Sequence, residues 1–202
     1  VEFAKTHFSH PKIRYDVLDI SRHDITEFVE RYGQFDRVYS FFCLSWTKDQ
    51  EMVYKNIEEL LKPGGGCLLL YPASNSIMRL RKKLSSTDHW HKYRKRIEYS
   101  FSPSVDFVSR DTLLSYISGL LKNTSLIPTT CEVLKMKHTY SSLDELTRMH
   151  MRLNYLSNLV TEEEKPLLLK DVSENAARLW AEKEAGGSPF CSSLFLVIGQ
   201  KP

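Results

Sequence analysis

The side chains best placed for chemistry in this chain gather at the ends of three apolar runs. Asp19-Ile20 closes the alternating stretch Ile13 to Leu18, Ser40 and Phe41 sit within the run Val38 to Leu44 that Trp46 follows, and Asn75 comes just after the run Cys67 to Tyr71. If those runs are strands of an open parallel sheet, the cluster lies where such sheets bind ligands, outside the carboxyl ends of the strands. Each residue also has a plainer reading. Asp19 suits a helix N-cap, Phe41 suits core packing, Trp46 suits packing on a helix and Asn75 suits a turn.

The surrounding pattern supplies the sheet. Ile13 to Leu18 alternates apolar and polar as a strand does, and residues from about Ile25 to Tyr32 form a short amphipathic helix with Gly33 as its C-cap. Val38 to Leu44 is almost continuously apolar, the pattern of a strand covered on both faces. From Asp49 to Leu61 the residues Met52, Val53, Ile57, Leu60 and Leu61 fall on one helical face, and Pro63-Gly64-Gly65-Gly66 stops that helix before the strand Cys67 to Tyr71. Two parallel strands joined by one crossover helix follow.

Downstream the alternation lapses into a basic, aromatic-rich insertion. Leu113, Leu114, Ile117, Leu120 and Leu121 then mark a helix, and Cys131 to Lys137 a strand. Ser142-Leu143-Asp144-Glu145 is a capping box opening a second insertion, Thr161 to Glu164 repeats the signature, and Ser193 to Gly199 is a last strand. An open α/β sheet in one domain, 1–202, with helical insertions at about 76–108 and 140–188, is the expected architecture.

Composition is permissive. A hydrophobic share of 42% is ordinary for a globular protein, and a net charge of +3 is too small to argue for nucleic acid. Cys43, Cys67, Cys131 and Cys191 lie far apart without a CxxC pair and read as buried hydrophobes in a reducing, cytoplasmic setting. No apolar run is long enough to span a membrane, and the histidines show no metal-ligand spacing, so no metal is expected.

The motifs FDRVYSFFCLSW, LKPGG and CLLLYPASNS make the chain resemble the class I S-adenosylmethionine-dependent methyltransferases, and among them the insect juvenile hormone acid methyltransferases. The resemblance is specific from about Tyr15 to Trp90 and implies a Rossmann-like sheet with helical lid insertions. By that likeness Asp19 accepts from the exocyclic amine of adenine and the Ile20 amide bonds a ring nitrogen. Ser40 and Phe41 line the pocket near the methionine part of the cofactor, Trp46 donates its indole N–H to the substrate carboxylate, and Asn75 faces the pocket. Relatives often carry histidine before this tryptophan. Ser45 stands there in this chain, which removes any imidazole from that place.

The reaction so implied esterifies a hydrophobic, isoprenoid or farnesoic-type acid. Such an acid, with a pKa of ~4–5, is already ionised at neutral pH, so no base is required. The protein holds the carboxylate in line with the sulfonium methyl at roughly 3–3.5 Å, worth up to about 7–11 kcal/mol through orientation. Ile77, Met78, Leu80, Trp90 and Tyr93, with Met149, Met151, Leu153, Tyr155 and Leu156, would supply an apolar lid and a channel for the tail. Two alternatives stay open: an O- or N-methyltransferase with another acceptor, and a module using Arg79, Arg81, Lys82, Lys83, Lys92, Arg94, Lys95 and Arg96 to grip RNA or an anionic surface.

The likeness also implies that the chain is an N-terminal truncation. The first two strands, the glycine-rich turn and the acid that holds the ribose would precede Val1, and two strands would fill the sheet between Ile13 to Leu18 and Val38 to Leu44. The chain by itself is therefore expected to bind cofactor poorly and to be inactive.

Overall fold

The computed structural model describes residues 1–98 and 101–202. Helix α1 (Glu2–His7) leads into irregular chain and then α2 (Thr26–Tyr32), which ends at Gly33 with φ 75°. The stretch Ile13 to Leu18, expected as a strand, is not one. A strand needs a neighbour to take its backbone hydrogen bonds, and this stretch joins no sheet among the described residues. Local bonds hold the segment instead: Tyr15 donates to the Phe8 carbonyl at 2.7 Å, and the Tyr32 hydroxyl to Asp16.

The sheet begins with β1 (Phe35–Phe41), crosses over through α3 (Gln50–Leu60) and returns as β2 (Leu61–Ser74), parallel to β1. Asp49 starts α3 by accepting from the Met52 amide at 3.0 Å. The LKPGG turn works through two glycines. Gly64 takes φ +76°, and a Cβ on Gly65 would stand 2.9 Å from the Lys62 carbonyl oxygen and 3.1 Å from that of Phe35, so only glycine fits between the turn and β1.

Helices α4 (Ser76–Ser85), α5 (Arg94–Glu98) and α6 (Arg110–Lys122) precede β3 (Ile127–Lys137), and α7 (Leu143–Arg152) and α8 (Lys165–Glu184) precede β4 (Cys191–Gln200). The strand order is β1-β2-β4-β3, with β4 antiparallel to both neighbours. Ser142 caps α7 by accepting from the Glu145 amide at 3.1 Å, while Glu145 accepts from Ser141 rather than Ser142. At the second box Glu164 accepts from the Thr161 amide at 3.0 Å.

Alternation along the strands sends Cys67, Leu69, Tyr71 and Ala73 of β2, with Phe195 and Val197 of β4, onto one face. There they pack against Val53, Tyr54 and Ile57 of α3 and Leu113 and Ile117 of α6. Burial pushes the hydroxyls of Tyr54 and Tyr71 far up, and they satisfy one another at 3.1 Å. The opposite face carries Tyr39, Phe41, Leu68, Leu70, Leu196 and Ile198 in register and is far more open. Tyr39 is 63% and Phe41 57% exposed. The apolar β1 run was expected to be covered on both faces. It lies instead at the edge of the described sheet, with α3 on one side only.

A second apolar cluster joins the two helical stretches. Leu80, Leu84, Trp90 and Ile97 pack with Leu156, Val160, Leu168 and Val172, and the buried Trp90 indole donates to Asp171 at 2.7 Å. Trp90 and Leu156 are thus committed to packing, while Leu153 is 44% exposed. Of the four cysteines only Cys67 is buried; Cys43 is exposed, and Cys131 and Cys191 are half-buried, so the expectation of four buried thiols holds for one.

Candidate functional site

The tip of β1 is where the chain changes direction sharply. Phe42 takes φ 57°, a left-handed conformation uncommon for a bulky side chain, and the turn Leu44–Trp46 follows at once. Leu44 is buried and anchors the turn, whose carbonyls accept from the Trp46 amide at 3.0 Å and from Thr47 at 3.2 and 2.9 Å. Trp46 is thereby lifted outward, 41% exposed. Its indole N–H has no partner among the described residues, and its ring face carries the Arg81 guanidinium, with the guanidinium carbon 4.3 Å from the ring centroid.

Gln50 holds this turn from below. Its side-chain amide donates to the Leu44 carbonyl at 2.9 Å and to Ser102 Oγ at 3.1 Å, and its oxygen accepts from the Tyr116 hydroxyl at 3.0 Å. One buried carboxamide therefore ties the Trp46 turn to the 3-10 turn Pro103–Asp106 and to α6. Replacing Gln50 with leucine is expected to cost about 1–2 kcal/mol, because Leu44 and Ser102 keep other partners and Tyr116 can turn toward solvent. Urea denaturation of the variant beside the wild type measures this directly.

Two cavities adjoin here. One of about 770 Å³ is lined by Ser21, His23, Trp46, Gln50, Tyr116 and Leu120 among others, and one of about 730 Å³ by Asp19, Arg22, Asp24 and Phe28 among others. His23 lines both. The structure thus brings Asp19 and Trp46 to neighbouring hollows.

Asp19 accepts from Ser21, both amide and hydroxyl, through Oδ1, and these bonds hold its carboxyl below the usual aspartate range. Its Oδ2 and the Ile20 amide make no hydrogen bond among the described residues. Ile20 is half-buried against the main core, and its carbonyl accepts from Asn56 at 2.8 Å; Asn56 also reaches the Arg22 carbonyl at 2.7 Å, so α3 fixes the whole turn. Ser40 is half-buried and pairs with Leu69 on the core side of the sheet. Phe41, on the other face, is exposed and outside the core. Asn75 caps α4, accepting from the Met78 amide at 2.9 Å. Neither cavity is lined by Ser40, Phe41 or Asn75.

Part of the basic stretch of 79–96 is buried or paired. Arg81 is buried, Lys82 pairs with Asp106, Lys92 with Glu164 at 2.6 Å and Arg94 with Glu98 at 2.7 Å. Sequence reading missed Gln50 and Asn56 and counted Arg81 only as one charge of the basic stretch. A usable signal existed for two of them: Gln50 precedes Val53, Tyr54 and Ile57 at helical spacing, and Arg81 stands between Met78 and Ser85 on one stripe. Among the described residues no three metal-ligating side chains come together, and no helix is long and apolar enough to cross a membrane.

Residues 6–118 match the family model described as a methyltransferase domain. The chain belongs to this methyltransferase family. The chain has the mixed α/β arrangement described above, and its cofactor is S-adenosylmethionine. The chain is 37% identical over 116 residues to the juvenile hormone acid O-methyltransferase of Drosophila melanogaster, a match covering 53% of this chain and 38% of that protein. It is 35% identical over 106 residues to the protein of the same name from Bombyx mori, covering 52% and 37%. The matched part thus spans less than two-fifths of these relatives. Among solved structures, the phosphoethanolamine N-methyltransferase 2 of Haemonchus contortus in complex with S-adenosyl-L-methionine aligns at 17% identity and a TM-score of 0.40, over 83% of this chain and 33% of its own.

Proposed function

We propose that this domain serves a carboxyl methyltransferase that transfers methyl from S-adenosylmethionine to a hydrophobic, isoprenoid or farnesoic-type acid. The reading is supported by the likeness to the two insect acid methyltransferases. The observation that carries it is Trp46, raised on the β1 turn beside a cavity with its indole N–H unspent.

The cofactor fits what the chain offers at one end. Asp19 Oδ2 is a free acceptor and the Ile20 amide a free donor, side by side on a turn held by Asn56, which suits the amine and ring nitrogen of an adenine edge. Ser40 and Phe41 would lie toward the methionine end, and Asn75 beyond the next strand toward the acceptor. When bound, the cofactor supplies an electrophilic methyl on a positively charged sulfur.

The residues of this chain need not move a proton, since the acid arrives ionised. Trp46 orients one carboxylate oxygen by donation, leaving the other to attack. The ester forms as the sulfur is released neutral, so two opposite charges vanish together and a dry, apolar surround favours the step. The test is an assay of the full-length gene product with methyl-labelled donor against farnesoic acid, a primary amine and a phenol. Base-labile label on the acid is expected; label on the amine or phenol alone overturns the reading.

A further inference from the structure

Arg81 is a costly residue for this fold to keep. It is 3% exposed, and among the described residues its Nε and Nη1 are buried without a hydrogen bond and it takes part in no ion pair. Every other arginine or lysine on α4 is at least partly open to water, and the helix holds no acid. Removal from water depresses the guanidinium to about 10, with no neighbouring charge acting on it, so it remains a cation at neutral pH. An unpaired buried charge is among the most unfavourable features a fold can keep, and stacking on one indole offsets only part of it.

The position of this cation says what would compensate it. Its only charged or aromatic partner among the described residues is Trp46, whose ring centroid lies 4.3 Å from the guanidinium carbon and whose indole N–H is a second donor without a partner among those residues. Nε donates on the Nε–Nη2 edge of the guanidinium and Nη1 on the Nη1–Nη2 edge, and either edge can take the two oxygens of a carboxylate side by side. One cation balances one negative charge; a phosphate monoester or diphosphate would bring more charge than the site answers.

We propose that Arg81 is the head-group selector of the acceptor site, binding the substrate carboxylate together with Trp46, so that the acceptor is a monoanionic carboxylic acid rather than a phosphate ester or a neutral alcohol. This rests on the carboxyl methyl transfer proposed above. The assignment also accounts for the absence of a protein carboxylate next to Arg81, because such a group would occupy the ligand's place.

The test compares binding of farnesoic acid, farnesol and farnesyl phosphate to the full-length gene product by calorimetry, with methyl transfer followed separately. The wild type is expected to bind the acid tightest of the three. Arg81→Met is expected to lose about 10- to 150-fold in acid affinity, the range for hydrogen bonds to a charged group, and to leave farnesol affinity unchanged. Since an apolar residue of similar volume replaces a buried ion at little cost, the Tm of this variant should stay level or rise. Arg81→Lys should recover part of the affinity through its charge.

Equal acid affinity in Arg81→Met, a loss shared by acid and alcohol alike, a preference for the phosphate, or no acid binding to the wild type each overturns the proposal. Ester formed by Arg81→Met at unchanged KM sinks the selector while leaving carboxyl methylation standing. Arg81-dependent acid binding without any ester does the reverse.

Discussion

Replacing Trp46 with alanine should lower kcat/KM for the acid by about 100- to 1,000-fold, the usual loss when a fixed donor to a reacting oxygen is removed. Binding of S-adenosylmethionine should be unchanged, because the groups assigned to adenine, Asp19 and Ile20, sit on a separate turn held by Asn56. Trp46→Phe separates the two parts of the residue: it keeps an aromatic face for the Arg81 guanidinium, at 4.3 Å in the wild type, and deletes the N–H. If donation is what matters, phenylalanine should be nearly as damaging as alanine. Steady-state kinetics with donor and acceptor varied independently decide this, and an acid rate unaffected by Trp46→Ala would remove the residue from the site. Because Trp46 and Arg81 touch, their substitutions should be strongly non-additive in a double-mutant cycle.

Acid should loosen the fold through His150. This side chain on α7 is fully buried, neither ring nitrogen has a partner among the described residues, and burial alone depresses its pKa from 6.5 to about 4. The folded protein therefore holds it neutral over a range in which the unfolded chain protonates it. Stability from this source is complete above the unfolded value of 6.5 and is lost as pH falls toward 4, by up to about 3 kcal/mol. Carboxylates add their own acid dependence, so the difference between wild type and His150→Leu isolates the effect. Urea denaturation at about pH 7 and about pH 4.5 should show the wild type losing clearly more stability than the variant. Parallel losses would mean that the imidazole is reached by water.

Much of the framework was legible because it is local. The apolar face of α3, the glycines of LKPGG and the Ser142 box each encode their element within a few residues. The order β1, crossover helix, β2 and the later pair β3 and β4 followed from the same signals. What escaped is settled by partners distant in the chain. Ile13 to Leu18 alternates properly yet pairs with nothing, and the apolar run of β1 is a strand whose second face stays open. Arg81 counted as one charge in a basic tract, although its neighbours on the same face of the helix are Met78 and Ser85, both buried. Asn75 was legible as a polar residue after a strand, but only coordinates show that its oxygen is bonded at the start of α4.

The uncovered side of the sheet has its own colloidal meaning. Among the described residues β1 offers an unpaired row of amides and carbonyls beside Tyr39 and Phe41, with Leu68 and Leu70 behind them, whereas the other rim strand, β3, carries Glu132, Lys135 and Lys137. Charged side chains of that kind discourage further strands from adding; tyrosine and phenylalanine invite them. A preparation of these 202 residues by themselves should thus stick to its own kind along one rim only, growing particles with concentration and dissolving again in mild detergent.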